Sequence, residues 1–289
     1  MRISSIGRSR LSPAESARMC PLSLLKHPYT HLQPLTGGSA SVRAVAREPG
    51  TALVWQMEPD RCHAGAEIAQ HRPGGIPLLV ILPPGQEDDP SAVLMSALQH
   101  TRPLGILPYH PNVLPTDLAQ VLRRDPADLA ADVTDYLRWR GIDIERETVQ
   151  LIRRIIELSS SLRTLSAVCR SLYVSRRALG RRFSRSGLPV PSHWLQIARI
   201  LRVSIRLQNT GVTVSSSAFE LGYPDGFAFS NQVERLVGVR PSMVRLRLGW
   251  EWIFESWLRR EAEAGRFCAT RSFERTRGTG AALHRSKLR

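Results

Sequence analysis

Apolar and polar positions follow two different patterns along the chain, and the change falls near residue 148. From Thr51 onward, apolar runs at 51–57, 76–82 and 104–107 alternate with helix-like stretches at 64–71, 91–101 and 116–124. The run IPLLVIL at 76–82 is stopped by two prolines, as expected for a strand that is buried on both faces. Strands that alternate with helices predict βαβ units and a parallel sheet in residues 51–124.

The second half is helical throughout. Val149, Ile152, Ile155 and Ile156 recur at the helical period on one face. Residues 148–250 therefore predict an all-α domain, so that the whole chain is α+β. Residues 125–147, which are mixed in charge, predict a helical linker. Residues 1–50 predict a poorly ordered lead-in, and residues 259–289 predict a basic disordered tail, because both are poor in periodic apolar positions.

A short helix, a tight turn and a second helix occur twice in the all-α domain. The first unit runs through 164–172 and 176–186, with Ser175 as the N-cap of its second helix. The second unit runs through 214–221 and 225–237, with Asp225 as the corresponding cap. Between them 192–207 predicts one helix of about 24 Å. That spacer, with its turns, suits two recognition helices about 34 Å apart, which is one turn of B-DNA.

The charge of the chain is concentrated in this half. Residues 148–289 carry 25 Lys and Arg against 9 Asp and Glu, a net +16, whereas residues 1–147 carry 15 against 16, a net −1. This asymmetry is typical of a domain that binds a polyanion. Only Lys26 and Lys287 are lysines, so a preference for arginine also contributes to the basic count.

The remaining composition excludes several classes of protein. The 289 residues are 42% apolar, and no run approaches the roughly 20 apolar residues of a membrane span. The first 20 residues have no apolar signal-peptide region. The cysteines are scattered (Cys20, Cys62, Cys169 and Cys268), which argues against a zinc site or a disulfide framework and favours a reducing cytoplasm. We expect neither a metal nor a cofactor.

Residues 148–250 resemble the DNA-binding domain of the AraC/XylS transcriptional regulators. The matching stretches are SRRALGRRF, GLPVPSHWLQIARILRVSIRL and FAFSNQVERLVGVRPSMVR, in that order. The resemblance implies a sequence-specific regulator whose helices at about 175–186 and 225–237 enter successive major grooves. Double-stranded DNA is the implied partner, and RNA polymerase is a further candidate. The N-terminal half would then dimerise or bind a small-molecule effector.

The same resemblance assigns the candidate site residues. The base-reading residues would be Arg177, Arg181, Phe227, Ser230 and Asn231. The phosphate-contacting residues would be Arg182, Arg185, Arg235, Ser242 and Arg245. Arginine can donate two bonds to guanine, and asparagine can read adenine. A solvated basic face that touches only phosphates is the alternative for Arg177 and Arg181.

Some residues depart from the family pattern. Ser217 stands where the family places an aliphatic core residue, so the first helix of the second unit is expected to be marginal. Tyr173 replaces the usual glycine of the first turn. Gly180 and Gly226 stand where the family often has polar base-reading side chains. The second unit is therefore expected to contribute mainly register and phosphate contacts.

The N-terminal half resembles the second part of a response-regulator receiver domain, through IPLLVILPP and LGILPYHPNVLPTDLAQVL. Trp55 falls at the phosphoacceptor position and His110 at the lysine position, so we expect no phosphorylation. An unrelated small α/β module remains the alternative.

Two other classes of function compete. A non-specific or architectural nucleic-acid binder would use the arginine content alone. An enzyme is not expected, because the sequence has no P-loop and no GxSxG motif, and Cys169 lies on an apolar helix face.

Overall fold

The N-terminal half contains a five-stranded sheet. The computed structural model of the chain describes residues 22–35, 42–44, 48–58, 62–85, 91–110, 112–209 and 211–268. The strands are β1 (Leu22–Leu25), β2 (Leu32–Pro34), β3 (Ala52–Gln56), β4 (Leu78–Ile81) and β5 (Gly105–Leu107). They lie side by side in the order β2-β1-β3-β4-β5.

The sheet is parallel in only one part. Strands β3, β4 and β5 are parallel, with Trp55 opposite Val80 and Val80 opposite Ile106, which confirms that prediction for residues 51–124. Strand β1 is antiparallel to both β2 and β3. The order 2-1-3-4-5 is that of receiver-type sheets, but the reversed β1 replaces their first βαβ unit with a hairpin. The receiver resemblance therefore extends to β3–β5 and not to the whole sheet.

The hairpin also corrects the prediction for residues 1–50. Strands β1 and β2 lie within the predicted poorly ordered lead-in, and Leu22 and Leu25 are fully buried. The lead-in prediction is therefore wrong for residues 22–35. LSLL and LQP are too short to show a period of two, so no pattern could reveal them. Residues 1–21 lie outside the described residues.

Helices cover both faces of the sheet. Helices α1 (Cys62–Gln70) and α2 (Ala92–Thr101) pack on the face that contains Trp55, and α3 (Pro115–Arg123) packs on the other face through Leu118 and Leu122. Trp55 is fully buried, and its indole lies so close to Gly65 that a Cβ there would collide with it. The position predicted to lack a phosphoacceptor is thus occupied by a core side chain.

Nine further helices among the described residues form the second half. Helix α4 (Leu129–Trp139) leads into α5 (Arg146–Leu158), α6 (Leu165–Ser171), α7 (Arg176–Arg185), α8 (Pro191–Asn209), α9 (Val214–Glu220), α10 (Gly226–Val237), α11 (Pro241–Leu246) and α12 (Glu251–Glu263). One hydrophobic core joins them, and it includes Val133 and Leu137 of α4. The segment 125–147 is therefore helical as predicted, but it is part of the domain rather than a linker between domains.

Helix α12 corrects the predicted C-terminal boundaries. Trp252, Phe254 and Trp257 are buried in the common core, so the domain continues past residue 250. The helix ends at Glu263, and residues 264–268 are also described, so the disordered tail cannot begin at residue 259. The pattern of apolar and polar positions did not predict this helix, because Glu251, Glu255 and Glu261 are buried together with the aromatic residues. Glutamates in a sequence normally indicate an exposed face. Residues 269–289 lie outside the described residues.

Buried glutamates of α12 bond to residues of both halves. The guanidinium of Arg102, which follows α2, pairs with Glu251. Glu255 accepts hydrogen bonds from Arg140 Nη2 at 3.0 Å and from the Tyr136 hydroxyl at 2.7 Å. That hydroxyl also accepts the backbone N–H of Gly75, at 2.8 Å. Each buried charge thus has a partner, as burial in a low-dielectric interior requires.

Candidate nucleic-acid interface

The four helices of the two predicted units each begin at a polar N-cap. The side-chain oxygens of Thr164, Ser175, Thr213 and Asp225 each accept the backbone N–H of the residue three positions later, at 2.6–3.2 Å. Each bond satisfies one of the N–H groups that a helix start leaves without an internal partner. The caps predicted at Ser175 and Asp225 are confirmed, and helices α6–α7 and α9–α10 form two helix-turn-helix units.

The two turns use the same hydrogen bonds but differ in length. The N–H of Val174 donates to Cys169 O in the first unit, and the N–H of Tyr223 donates to Ala218 O in the second, both at 3.0 Å. Pro224 then adds one residue before the cap of α10. As a result, equivalent positions lie 49 residues apart in the supporting helices and 50 residues apart in α7 and α10.

The left-handed residue of each turn is different. Gly222 has φ +78° in the second unit, whereas Tyr173 has φ +54° at the equivalent position in the first. The Tyr173 side chain is 96% exposed. The first turn therefore holds a bulky side chain in a backbone conformation that favours glycine.

Helix α7 presents one face to the core and the opposite face to solvent. Leu179 and Phe183 are buried, whereas Arg177, Arg181 and Arg185 are exposed. Positions 177 and 181 are one helical turn apart, and so are 181 and 185, so the three guanidinium groups share one face. A depression of about 430 Å³ lies against this face, between Arg181, Arg185 and the start of α5.

Helix α10 repeats this arrangement 50 residues later with less charge. Phe229 and Val233 are buried, and Phe227 is 74% exposed on the outer face together with Asn231. The Ser230 hydroxyl donates to Gly226 O at 2.7 Å, so its hydrogen is already engaged within the helix. Phe227 and Asn231 occupy the positions equivalent to Arg177 and Arg181.

The arginines predicted to contact phosphates fall into two groups. Arg182 pairs with Glu145 and Glu147, and its Nε donates to Thr148 Oγ1 at 3.2 Å, so it ties α7 to α5. Arg235 donates to Gln196 Oε1 and Arg245 donates to Val212 O, so both arginines are bonded within the domain. Ser242, which is also a candidate, is exposed at the start of α11. Within the described part of the chain Arg185 has no such partner, so it is the candidate arginine that has no bond to break before it contacts a phosphate.

One long helix holds both units in place. Helix α8 has 19 residues and a length of about 28 Å, against the 16 residues predicted at 192–207. Its Arg199 donates to Leu221 O at 2.7 Å and lies 4.4 Å from the ring centroid of Tyr223, at the second turn. Its Arg202 donates at 3.0 Å to the backbone oxygen of Ile156, near the end of α5. Helix α5 is the element to which Arg182 connects the first unit. Burial raises the pKa of Tyr223 to about 12, so this residue stays neutral beside Arg199.

Two predicted weak points are visible in the second unit. Ser217 is fully buried, and its hydroxyl has no hydrogen-bond partner among the described residues. Gly226 lies against Ser215, close enough that a Cβ would touch the serine hydroxyl. The glycine therefore allows α9 and α10 to approach each other, which sequence reasoning had not anticipated.

Two further features of the described residues concern metal binding and the cysteine near this surface. No cluster of three or more His, Cys, Asp or Glu residues there could hold a metal ion. Cys169 is buried, and burial raises the pKa of its thiol, which disfavours the nucleophilic thiolate. In the same part of the chain, no helix has the length and apolar character needed to cross a membrane.

The two helix-turn-helix units agree with one family of known proteins. Residues 168–247 match the family model described as "Helix-turn-helix domain". No curated protein matches the chain by sequence. Among solved structures, the xylose-binding transcription activator xylR is 14% identical, with a TM-score of 0.31, over 72% of this chain and 56% of its own. The transcriptional regulator CdpR from Pseudomonas aeruginosa is 17% identical, with a TM-score of 0.31, over 68% of this chain and 67% of its own.

This chain spans little more than half the length of the xylose-binding activator. The family match falls on the segment that holds α7 to α11 and the end of α6. Residues 168–247 are therefore a helix-turn-helix domain.

Proposed function

We propose that the chain is a sequence-specific transcriptional regulator of the AraC/XylS type, acting in the cytoplasm, as the scattered cysteines favour. In this proposal α7 and α10 enter successive major grooves on one side of the duplex. The observation that carries it is the repeat itself. Two units expose equivalent positions 50 residues apart, and α8 fixes both of them. One chain can then supply both recognition helices.

The two helices have unequal parts in the proposal. Arg177 and Arg181 on α7 can each donate two bonds to a guanine, and each such pair gives about 1–3 kcal/mol of discrimination. On α10, Phe227 can contact a thymine methyl group and Asn231 can read adenine. Because Ser230 is bonded within α10 and Ser217 weakens α9, the first unit is proposed to carry more of the sequence information.

Arg185 is proposed to make the main phosphate contact. Among the described residues it has no bond to break first, whereas Arg182 would have to leave two carboxylates before it could reach a phosphate. The exposed start of α11 at Ser242 adds backbone N–H groups. The N-terminal half is proposed to bind an effector or a second copy, and RNA polymerase remains a candidate partner. The proposal assigns no catalytic step to the chain.

The test begins with selection of bound sites from a random DNA pool, using the full chain. Salt titrations then compare Arg181→Ala and Arg185→Ala on the selected duplex and on a scrambled one. We expect Arg181→Ala to lose about 1–3 kcal/mol on the selected duplex and much less on the scrambled one. Arg185→Ala should weaken both duplexes equally and lower the salt slope by about one.

Two outcomes would overturn the proposal. A pool that yields no preferred site, with binding that follows only salt, would leave a non-specific nucleic-acid binder. Equal losses for Arg181→Ala on the two duplexes would make Arg181 a phosphate contact only. Sedimentation of the complex adds a check on geometry, because one protein per selected site is expected from the tandem units.

A further inference from the structure

A polar cleft opens where the C-terminal ends of α1 and α2 meet α4, away from both helix-turn-helix units. Its volume is about 490 Å³, within the roughly 300–1,000 Å³ of small-molecule sites. The side chains that matter for its chemistry are Gln70, His71, Gln99, His100, Arg138 and Trp139. The cleft lies between the sheet domain and the helical domain, where a bound molecule would contact both halves.

The two histidines line this cleft, and backbone carbonyls fix the tautomer of each ring. His71 Nδ1 lies 2.8 Å from Glu67 O, and His100 Nδ1 lies 2.6 Å from Ser96 O. A carbonyl oxygen can only accept, so each Nδ1 must carry the hydrogen. In the neutral ring the lone pair is then on Nε2. This wall therefore suits a ligand that donates, such as an ammonium group.

The opposite wall, on α4, offers a carboxylate and a guanidinium side by side. Arg138 Nη1 lies 3.0 Å from Asp135 Oδ1, and both side chains are exposed. An exposed pair of this kind contributes little to stability, so a ligand can exchange with it at small cost. The half-buried ring of Trp139, with the Arg72 guanidinium 4.1 Å from its centroid, adds an apolar surface next to the pair.

The charges around the cleft balance, which selects the class of ligand. Arg138 is matched by Asp135, and Arg102, which also lines the cleft, is matched by Glu251. Neither a simple anion nor a simple cation is favoured by such a surface. A molecule that carries both charges complements it. The residues also lack the three-ligand cluster that a metal ion would need among the described side chains.

We propose that this cleft binds a small zwitterion of the α-amino-acid type. Its ammonium group would lie towards His71, His100 and Asp135, and its carboxylate towards Arg138. In this site His71 and His100 accept through Nε2, and Arg138 gives up its bond to Asp135 in exchange for the ligand carboxylate.

The position of the cleft connects it to the second recognition helix. Arg102 pairs with Glu251, the first residue of α12, and donates to Asp132 O on α4 at 3.0 Å. Helix α12 packs against α10, where Arg260 Nη2 donates to Arg235 O at 3.2 Å. A ligand in the cleft therefore lies beside an arginine that is bonded to an element supporting α10, which gives the zwitterion the role of an effector if the function proposed above holds.

Calorimetric titration of the full chain with the common L-amino acids tests the site directly. The titration contains no DNA, so its result is independent of the proposed regulatory function. The strongest binder is then compared with its carboxamide, which is only a cation, and with its deaminated acid, which is only an anion. Both analogues should bind at least about tenfold more weakly, because each loses one charge-assisted interaction.

Matched variants locate the binding. Arg138→Gln should weaken the affinity roughly 10- to 100-fold. Arg154→Gln, which breaks a similar exposed pair with Glu157 on α5 (2.7 Å), should leave it unchanged. Arg185→Gln should also leave it unchanged, and thereby exclude binding at the recognition helix. The proposal is overturned if no amino acid binds, if Arg138→Gln binds as the parent does, or if Arg185→Gln abolishes the heat.

Discussion

Replacement of Tyr173 by glycine is expected to make the protein more stable, although Tyr173 lies in the first helix-turn-helix turn. Its φ of +54° costs an L-residue roughly 1–2 kcal/mol relative to glycine. About 0.5–1 kcal/mol of that gain is lost, because glycine loses more conformational freedom on folding than any other residue. The tyrosine side chain is 96% exposed, so its removal sacrifices no buried contact.

The expected net gain is therefore roughly 0.5–1 kcal/mol, equivalent to a rise of about 1–3 °C in melting temperature. Equilibrium unfolding in urea, followed by circular dichroism, measures it. The midpoint should rise while the slope stays the same. Gly222→Ala, at the equivalent turn, is the matched control. Its φ is +78° and an added Cβ would collide with Arg163, so its midpoint should fall.

A lower midpoint for Tyr173→Gly would refute the reasoning, because it would mean that the exposed ring contributes more than the backbone strain costs. DNA affinity measured on the same variant tests whether the Tyr173 ring takes part in the complex with DNA. Unchanged affinity together with the higher midpoint would show that the ring has no part in the complex. A loss of affinity together with the higher midpoint would show that the strained tyrosine is retained as a contact.

Other features lead to further expectations. Ser217→Ala should raise the free energy of unfolding by about 1 kcal/mol, because it removes a buried hydroxyl without a partner; an unchanged urea midpoint would contradict this. Burial alone would raise the pKa of Glu255, but the pairing with Arg140 outweighs burial, so the pKa is lowered. The stabilisation of the fold by the ionised Glu255 is therefore complete above the unfolded-state pKa of about 4.3, and it is lost as the pH falls below that value. Glu255→Gln should therefore flatten the dependence of unfolding on pH between about 3 and 5, and parallel curves for the two proteins would argue against the pairing. Acetyl phosphate should leave no acid-labile phosphate on the chain, since a buried Trp55 occupies the phosphoacceptor position; a labelled band in a phosphate-affinity gel would be the contrary result.

The features of the interface that follow local rules could be predicted from the sequence. The caps at Ser175 and Asp225 depend only on the residues next to them, and the buried faces of α7 and α10 follow from the helical period. The partner of a side chain far along the chain follows no such rule. For that reason the sequence could not show that Arg182, a predicted phosphate contact, pairs with Glu145 and Glu147.

The missed elements share another physical cause. Helix α12 carries buried glutamates whose partners lie more than a hundred residues away, as with Glu251 and Arg102 or Glu255 and Arg140. In sequence such residues indicate an exposed face, and only the fold supplies the opposite charge. The hairpin of β1 and β2 was missed because short strands are stabilised by pairing with β3, which no local pattern can show.

Helix α12 also limits how this regulator can be recombined with others. Exchange of one DNA-binding domain for another assumes that the boundary falls in an exposed linker with few contacts across it. Here a cut near residue 147 would separate Tyr136 and Arg140 from Glu255, and a stop near residue 250 would remove the helix that holds them. A chimaera that joins the N-terminal half of this chain to the helix-turn-helix domain of another protein would inherit an uncompensated buried charge. The structure therefore favours the transfer of both halves together, as one unit.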